Sequence, residues 1–262
     1  MINSKALAII PARMNSTRFP GKPMAMIHGM PMIGHIYYRS KLIKNADRIC
    51  VATCDKEIFN YIEGIGGLAI MTSENHRRAT ERTAEALQKI KNLFQEEYSS
   101  VAMIQGDEPM FKPHDIESAI SLIKKDENLN IVNIMNQTDD EEDFKDPNNV
   151  KVVVAENGDA LYYSREPIPS SWKDQQKKTM LIQTGLMVFR SSYLAKFLSM
   201  TPSILEEIES CDMLRVLEHG DKVRMLMSDN RSIGVDSPSD LVHVENLMTN
   251  DSLMKSYKVN KQ

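Results

Sequence analysis

Short aliphatic runs without charge recur along this chain, each followed by a loop and then by a segment whose apolar positions fall three and four residues apart. Ala6 to Ile10, Ile49 to Thr53, Leu68 to Met71 and Val101 to Ile104 read as strands. Pro31 to Lys44, a segment from Lys56, Thr80 to Phe94 and Pro113 to Lys124 read as the helices between them. The strands lack polar alternation, as expected of strands covered on both faces, so the pattern predicts an α/β fold with a mostly parallel central sheet. The second half differs. Short strands at Val150 to Val154, Ala160 to Tyr163, Leu181 to Phe189 and Val223 to Met227 predict a smaller antiparallel extension. Thr138 to Asn149, with acids at 139, 140, 141 and 142, reads as a solvated turn, and the polar tail after Met254 is expected to fray.

Nothing marks a break near the middle of the 262 residues, so a single domain is expected. The formal charge of −4 argues against nucleic acid as a partner, and cations clustered locally in an acidic protein suit a small anionic ligand. No apolar run approaches membrane-spanning length and no signal-like segment precedes the first strand, so no membrane partner and a cytoplasmic location are expected. Cys50, Cys54 and Cys211 are odd in number and poorly spaced for metal; they read as packing residues, without a disulfide.

The chemistry concentrates where predicted strands end. The first opens into Pro11-Ala12-Arg13, then Ser16-Thr17-Arg18 and Gly21-Lys22-Pro23. Arg13, Arg18 and Lys22, with hydroxyls nearby, suit a triphosphate, although a solvated basic turn has the same composition. Pro23 stands where a Walker A loop needs Ser or Thr, which excludes a P-loop. The run Ser100 to Ile104 ends in Gln105-Gly106-Asp107-Glu108-Pro109, an amide and hard carboxylate oxygens of the kind magnesium takes. Ser232 to Val235 reads as a short strand leading to Asp236, before a helix that Pro238 can start; Asp236 is then a turn or cap residue or a second metal ligand.

The order of these motifs resembles the 3-deoxy-manno-octulosonate (Kdo) cytidylyltransferases over nearly the whole chain. The likeness continues through Thr80-Glu81-Arg82, Pro147-Asn148, Ala160-Leu161-Tyr162, Ser164-Arg165, Leu214-Arg215 and Gly234-Val235-Asp236. It implies a Rossmann-like nucleotide-diphospho-sugar transferase fold, with dimerisation and sugar binding carried by about 138–230, and a homodimer. It also implies transfer of CMP from CTP to the anomeric hydroxyl of Kdo, with release of pyrophosphate, for lipopolysaccharide or other surface glycan synthesis. Arg13, Lys22, Asp107 and Asp236 would be catalytic, with Asp107 and Asp236 holding Mg2+. Pro11, Ala12, Arg13, Ser16, Arg18, Lys22, Ala79, Thr80, Arg82 and Gln105 would bind the nucleotide. Gln105, Arg165, Gln183, Glu209, Asp212 and Met213 would bind the sugar.

Departures from the family pattern cluster in two places. Arg78-Ala79 stands where the family has Ser-Gly, and neighbouring His76 is either a nucleotide contact or a surface residue beside a helix start. Gln183 replaces histidine and Met213 replaces glutamine, which alters the polar groups offered to a sugar hydroxyl or represents drift at the rim. Two alternatives follow: a synthetase for a modified or related acid such as 8-amino-Kdo or a sialic-type sugar, and a non-catalytic nucleotide-binding homologue.

Overall fold

The computed structural model describes residues 4–16, 18–170, 172–173, 179–229 and 233–258. The first strand, β1 (Ala6–Ala12), is buried along its whole length. Ala6, Ala8, Ile10 and Ala12 point into one core and Leu7 and Ile9 into the other, because successive side chains alternate across a pleated strand. Both faces are therefore covered, which explains the absence of polar alternation. A tight 3-10 turn at Lys22–Met24 and a hairpin of β2 (Met26–Ile27) with β3 (Met30–Pro31) lead into helix α1 (Met32–Ser40).

Next come β4 (Arg48–Thr53), α2 (Lys56–Gly64), β5 (Ala69–Met71), α3 (Ala79–Phe94), β6 (Ser100–Ile104) and α4 (Pro113–Lys125), as the periodicity predicts. Then follow β7 (Ile131–Gln137), α5 (Glu141–Lys145), and a hairpin of β8 (Lys151–Val154) with β9 (Ala160–Ser164). Strand β10 (Leu181–Arg190), helices α6 (Ser191–Ser199), α7 (Ile204–Glu209) and α8 (Asp212–Glu218), and β11 (Arg224–Met227) precede the terminal α9 (Pro238–Met248) and α10 (Ser252–Lys258).

The central sheet runs β11-β7-β10-β6-β1-β4-β5. Along it only β10 is antiparallel to its neighbours, and the β8-β9 hairpin attaches to β10 at Ile182 and Lys151. The predicted antiparallel extension is thus real but smaller than expected, since β11 pairs parallel with β7 inside the main sheet. The carboxyl ends of β1, β4, β6 and β7 and the amino end of β10 share one edge.

Three expectations are corrected. The acidic run forms the short helix α5, capped by Asp140 accepting from Glu142 N at 2.9 Å and anchored by fully buried Phe144. The tail forms α10 through residue 258, where Tyr257 stacks on Tyr38 with centroids 5.8 Å apart and reaches His35 at 3.0 Å, while 259–262 lie outside the described residues. The predicted strand before Asp236 is irregular over its described part, 233–236, and Ser232 lies outside the described residues; Val235 N donates to Asp107 O at 2.8 Å. The three cysteines are free; Cys50 and Cys211 are buried, as packing residues should be.

Candidate active site

The shared sheet edge carries a cleft made of two adjoining cavities of about 290 and 420 Å3. The smaller is walled by the β1 loop, the start of α3 and the end of β6. Its loop is shaped by Met14, whose N donates to Asp55 Oδ2 at 2.8 Å and whose carbonyl accepts from Gly21 N at 2.9 Å. Gly21 has φ 75°, a left-handed conformation that a side chain would strain, and it turns the chain so that Lys22 faces back into the cleft.

Lys22 Nζ donates to Asp107 Oδ2 at 2.7 Å, to Asp236 Oδ1 at 3.1 Å and to Val235 O at 2.9 Å. Burial pulls its pKa down, but Asp107 and then Asp236 outweigh that and leave it above its ordinary value. Lys22 therefore stays charged at neutral pH. Arg18 also donates to Asp236, at 3.0 Å, and binds the Asn148 side chain. Exposed Arg13 lines both cavities.

Pro11, Ala12, Ser16, Ala79, Arg82 and Gln105 line the smaller cavity, with Gln105 shared between the two. Arg82 is nearly buried; its Nη1 binds the Thr72 hydroxyl and reaches Ser73 O at 3.3 Å, while its Nη2 has no partner among the described residues. Thr17 lies outside the described residues. Thr80 is fully buried and absent from the cavity wall: its hydroxyl donates to the Asp212 carboxylate. His76 turns to α3, with Nε2 2.5 Å from Glu85 Oε2, while its ring still borders the smaller cavity.

The larger cavity is walled by Arg165, Gln183 and Asp212 among others. Arg165 is fixed by neutral carbonyls, donating to Glu209 O and Pro147 O at 2.7 and 2.6 Å. Glu209 does not reach the wall, because its carboxylate accepts from Ser164 Oγ at 2.8 Å and Arg165 N at 2.7 Å and so positions Arg165. Asp212 has its pKa raised by burial, against the opposing Thr80 hydrogen bond and the nearby Arg78 charge. Met213 is a correction to the sequence expectation. It is fully buried in the core beneath α8, since the helix turns Asp212 to the cleft and its neighbour inward.

Sequence reasoning assigned no role to several residues that shape this cavity. A bulge in β10 between Gln183 and Met187 turns Gly185 N toward Glu108 Oε1, at 2.5 Å. Buried Asn133 bridges that bulge, donating to Thr184 O and Leu186 O, each at 3.1 Å. The Lys151 ammonium is buried on Asp146 O at 3.0 Å, Asn149 O at 2.7 Å and the Arg165 carbonyl, holding the loop that presents Asn148. The sequence signals for these were an Asn within a largely aliphatic run and a lysine within a strand, neither distinctive until the strands are paired.

Comparison with known proteins agrees with this geometry. A family model described as Cytidylyltransferase matches residues 7–225. The chain is 42% identical over 245 residues to the 3-deoxy-manno-octulosonate cytidylyltransferase of Thermodesulfovibrio yellowstonii, covering 90% of this chain and 94% of that one. It is 39% identical over 249 residues to the enzyme of the same name from Fusobacterium nucleatum, covering 95% and 99%. Among solved structures, a CMP:2-keto-3-deoxy-manno-octonic acid synthetase complexed with CTP superposes with a TM-score of 0.86 at 34% identity, over 94% of this chain and 99% of that one. With family match, relatives and fold in agreement over most of its length, the chain belongs to the cytidylyltransferases, in the group of the 3-deoxy-manno-octulosonate enzymes.

Proposed function

We propose that this protein transfers CMP from CTP to the anomeric hydroxyl of 3-deoxy-manno-octulosonate, releasing pyrophosphate. The observation that carries the reading is the convergence of Asp107 and Asp236 on one ammonium, Lys22, beside a loop of arginines at the carboxyl edge of the sheet. The anomeric hydroxyl gives up its proton to solvent as its oxygen bonds to the α-phosphorus of CTP, the bond from that phosphorus to the α–β bridging oxygen breaks, and pyrophosphate leaves with that electron pair. Arg13, Arg18 and Lys22 hold the triphosphate and spread its charge, so positioning and electrostatics supply the rate. Arg82 and the backbone around Ala79 complete the nucleotide side, while Gln105 stands between the two halves.

Two carboxylates that meet on one ammonium are close enough to meet on a divalent cation. Their hard oxygens fit Mg2+, which takes few protein ligands and fills its shell with phosphate and water. Asp107 and Asp236 would hold it, and bound there it would neutralise phosphate charge.

The acceptor end is Arg165 for the sugar carboxylate, with Gln183 and Asp212 for hydroxyls. Gln183 Oε1 is buried without a donor among the described residues, an observation that favours a second acceptor, a modified acid carrying an extra amine or hydroxyl. Pyrophosphate release from CTP with Kdo, 8-amino-Kdo and a sialic-type acid separates these readings. Release with none of them would favour a non-catalytic nucleotide-binding homologue.

The chain is read as one catalytic domain whose 138–230 region adds the sugar wall and a homodimer surface. Leu161, Ile204 and Ile208, exposed by 60%, 74% and 71%, support that surface, and a monomer in sedimentation at working concentration would refute it. No helix among the described residues is long and apolar enough to cross a membrane. A cytoplasmic location is proposed because CTP is drawn from that pool.

A further inference from the structure

Arg78 stands at the start of α3 and lines both cavities, and its side chain reaches toward the sugar wall. Its backbone N donates to Glu81 Oε2 at 3.2 Å, fixing it at the start of α3. From there Nη1 donates to Ser210 Oγ at 3.0 Å and Nε lies 3.4 Å from Asp212 Oδ1. Arg165 approaches the same turn from the end of β9, with Nη2 3.5 Å from Ser210 O. Both guanidinium groups line the larger cavity and meet over one residue.

The charges around them leave this pair electropositive. No carboxylate lies within ion-pair distance of the Arg165 guanidinium among the described residues; its partners are the carbonyls of Glu209, Pro147 and Ser210. Arg78 faces two carboxylates, Asp212 and, at 4.0 Å, Glu206; Glu206 is already bound by Arg215 at 2.6 Å, while Asp212 also accepts from Thr80 and burial raises its pKa, which weakens its hold as a counter-charge. Each carboxylate oxygen accepts from more than one direction, so two planar guanidiniums can share a single carboxylate.

We propose that Arg78 and Arg165 form a two-arginine clamp across Ser210 for the carboxylate of the acceptor sugar, with Arg78 the arm supplied by the start of α3. The clamp rests on the CMP-transfer reading and names the residue that sets selectivity for an acid at that site.

The test compares the parent with Arg78→Ser and Arg78→Lys, using CTP with Kdo and with its C1 carboxamide. Arg78→Ser should raise the KM for Kdo about tenfold, the usual size of one charge-assisted contact, and the KM for CTP by a smaller factor, since Arg78 also borders the nucleotide cavity. The preference for acid over amide should narrow by the same factor, and Arg78→Lys should fall between. A purely structural arginine would weaken acid and amide alike, and an unchanged acid-to-amide ratio overturns the clamp. Calorimetry of Kdo binding separates the two claims. If no variant releases pyrophosphate, the transfer reading fails, whereas equal Kdo affinity in parent and Arg78→Ser overturns the clamp alone.

Discussion

The ammonium of Lys22 is bound to the carboxylate of Asp107 at 2.7 Å, and Asp236 shares the same nitrogen at 3.1 Å. Lys22 thus holds together two acids that would otherwise repel. Its raised pKa stabilises the fold fully below the ordinary value of 10.5, a contribution lost as pH rises through the higher folded value. Activity between pH 6 and 9 should therefore show no limb from this lysine.

Lys22→Met removes the cation shared by the two aspartates, leaving Asp236 with Arg18 at 3.0 Å. We expect its melting temperature without metal to fall below the parent's and to rise more than the parent's on adding Mg2+, because the metal no longer competes with an ammonium. CTP affinity and turnover should drop together. Asp107→Asn and Asp236→Asn should each lower turnover by at least about a hundredfold in a protein that remains folded. Equal Mg2+ responses in parent and Lys22→Met, or near-parent rates in either Asn variant, would remove the metal assignment.

Gly185 lies at the β10 bulge with Gln105 and Glu108 against its α-carbon. A Cβ there would stand 2.5 Å from Gln105 Cγ and Cδ and 2.7 Å from Glu108 Oε1, closer than real contacts allow. Gly185→Ala should displace Gln105, the residue common to both cavities, and lower kcat/KM for the sugar about tenfold or more. CTP binding measured alone should change much less. Parent-like sugar kinetics would mean that the bulge has slack.

The strands that build the site edge were legible because burial on both faces makes Leu7 to Ile10 and Val101 to Ile104 continuous apolar runs. Strand β7 was not, since Asn133 and Asn136 interrupt its pattern; both are buried, and Asn133 donates across the β10 bulge. Helix α5 was hidden for the opposite reason, a run of acids with one buried aromatic, Phe144. At the site, residues on strand ends and the first loop converge as read, because a parallel sheet gathers its carboxyl ends. Residues on α3 and α8 did not all follow, because which helix side chain faces the cleft depends on packing that a motif does not encode. Thr80 and Met213 point inward while Ala79 and Asp212 line the cleft.

The burial of Met213 makes a test that sequence alone would have framed differently. Met213→Gln, which restores the family residue, places an amide in an apolar core and should cost about 1–3 kcal/mol of stability. The ratio of efficiencies between Kdo and a modified Kdo should not move. Gln183→His should show the converse, a changed ratio with little change in melting temperature, because its side chain faces the cavity. A changed sugar ratio in Met213→Gln with parent stability would mean that α8 turns in solution to present this position.

Glu85 braces the segment that leads into α3. Burial alone would push its carboxyl up, but the Lys89 ammonium at 2.8 Å, Ser73 N at 2.8 Å and His76 outweigh that and hold it near 2, against an ordinary 4.5. A depressed carboxyl pKa stabilises the folded protein above about 4.5 and loses that contribution as pH falls toward about 2. Glu85→Gln should therefore melt below the parent at pH 7, and the gap should shrink steadily as melts are taken at pH 5, 4 and 3.5. Its KM for CTP should rise as well, since His76 borders the nucleotide cavity and loses its contact with the Glu85 carboxylate. A melting gap that stays constant across that pH range would show that Glu85 acts through packing alone and that its ionisation is not coupled to folding.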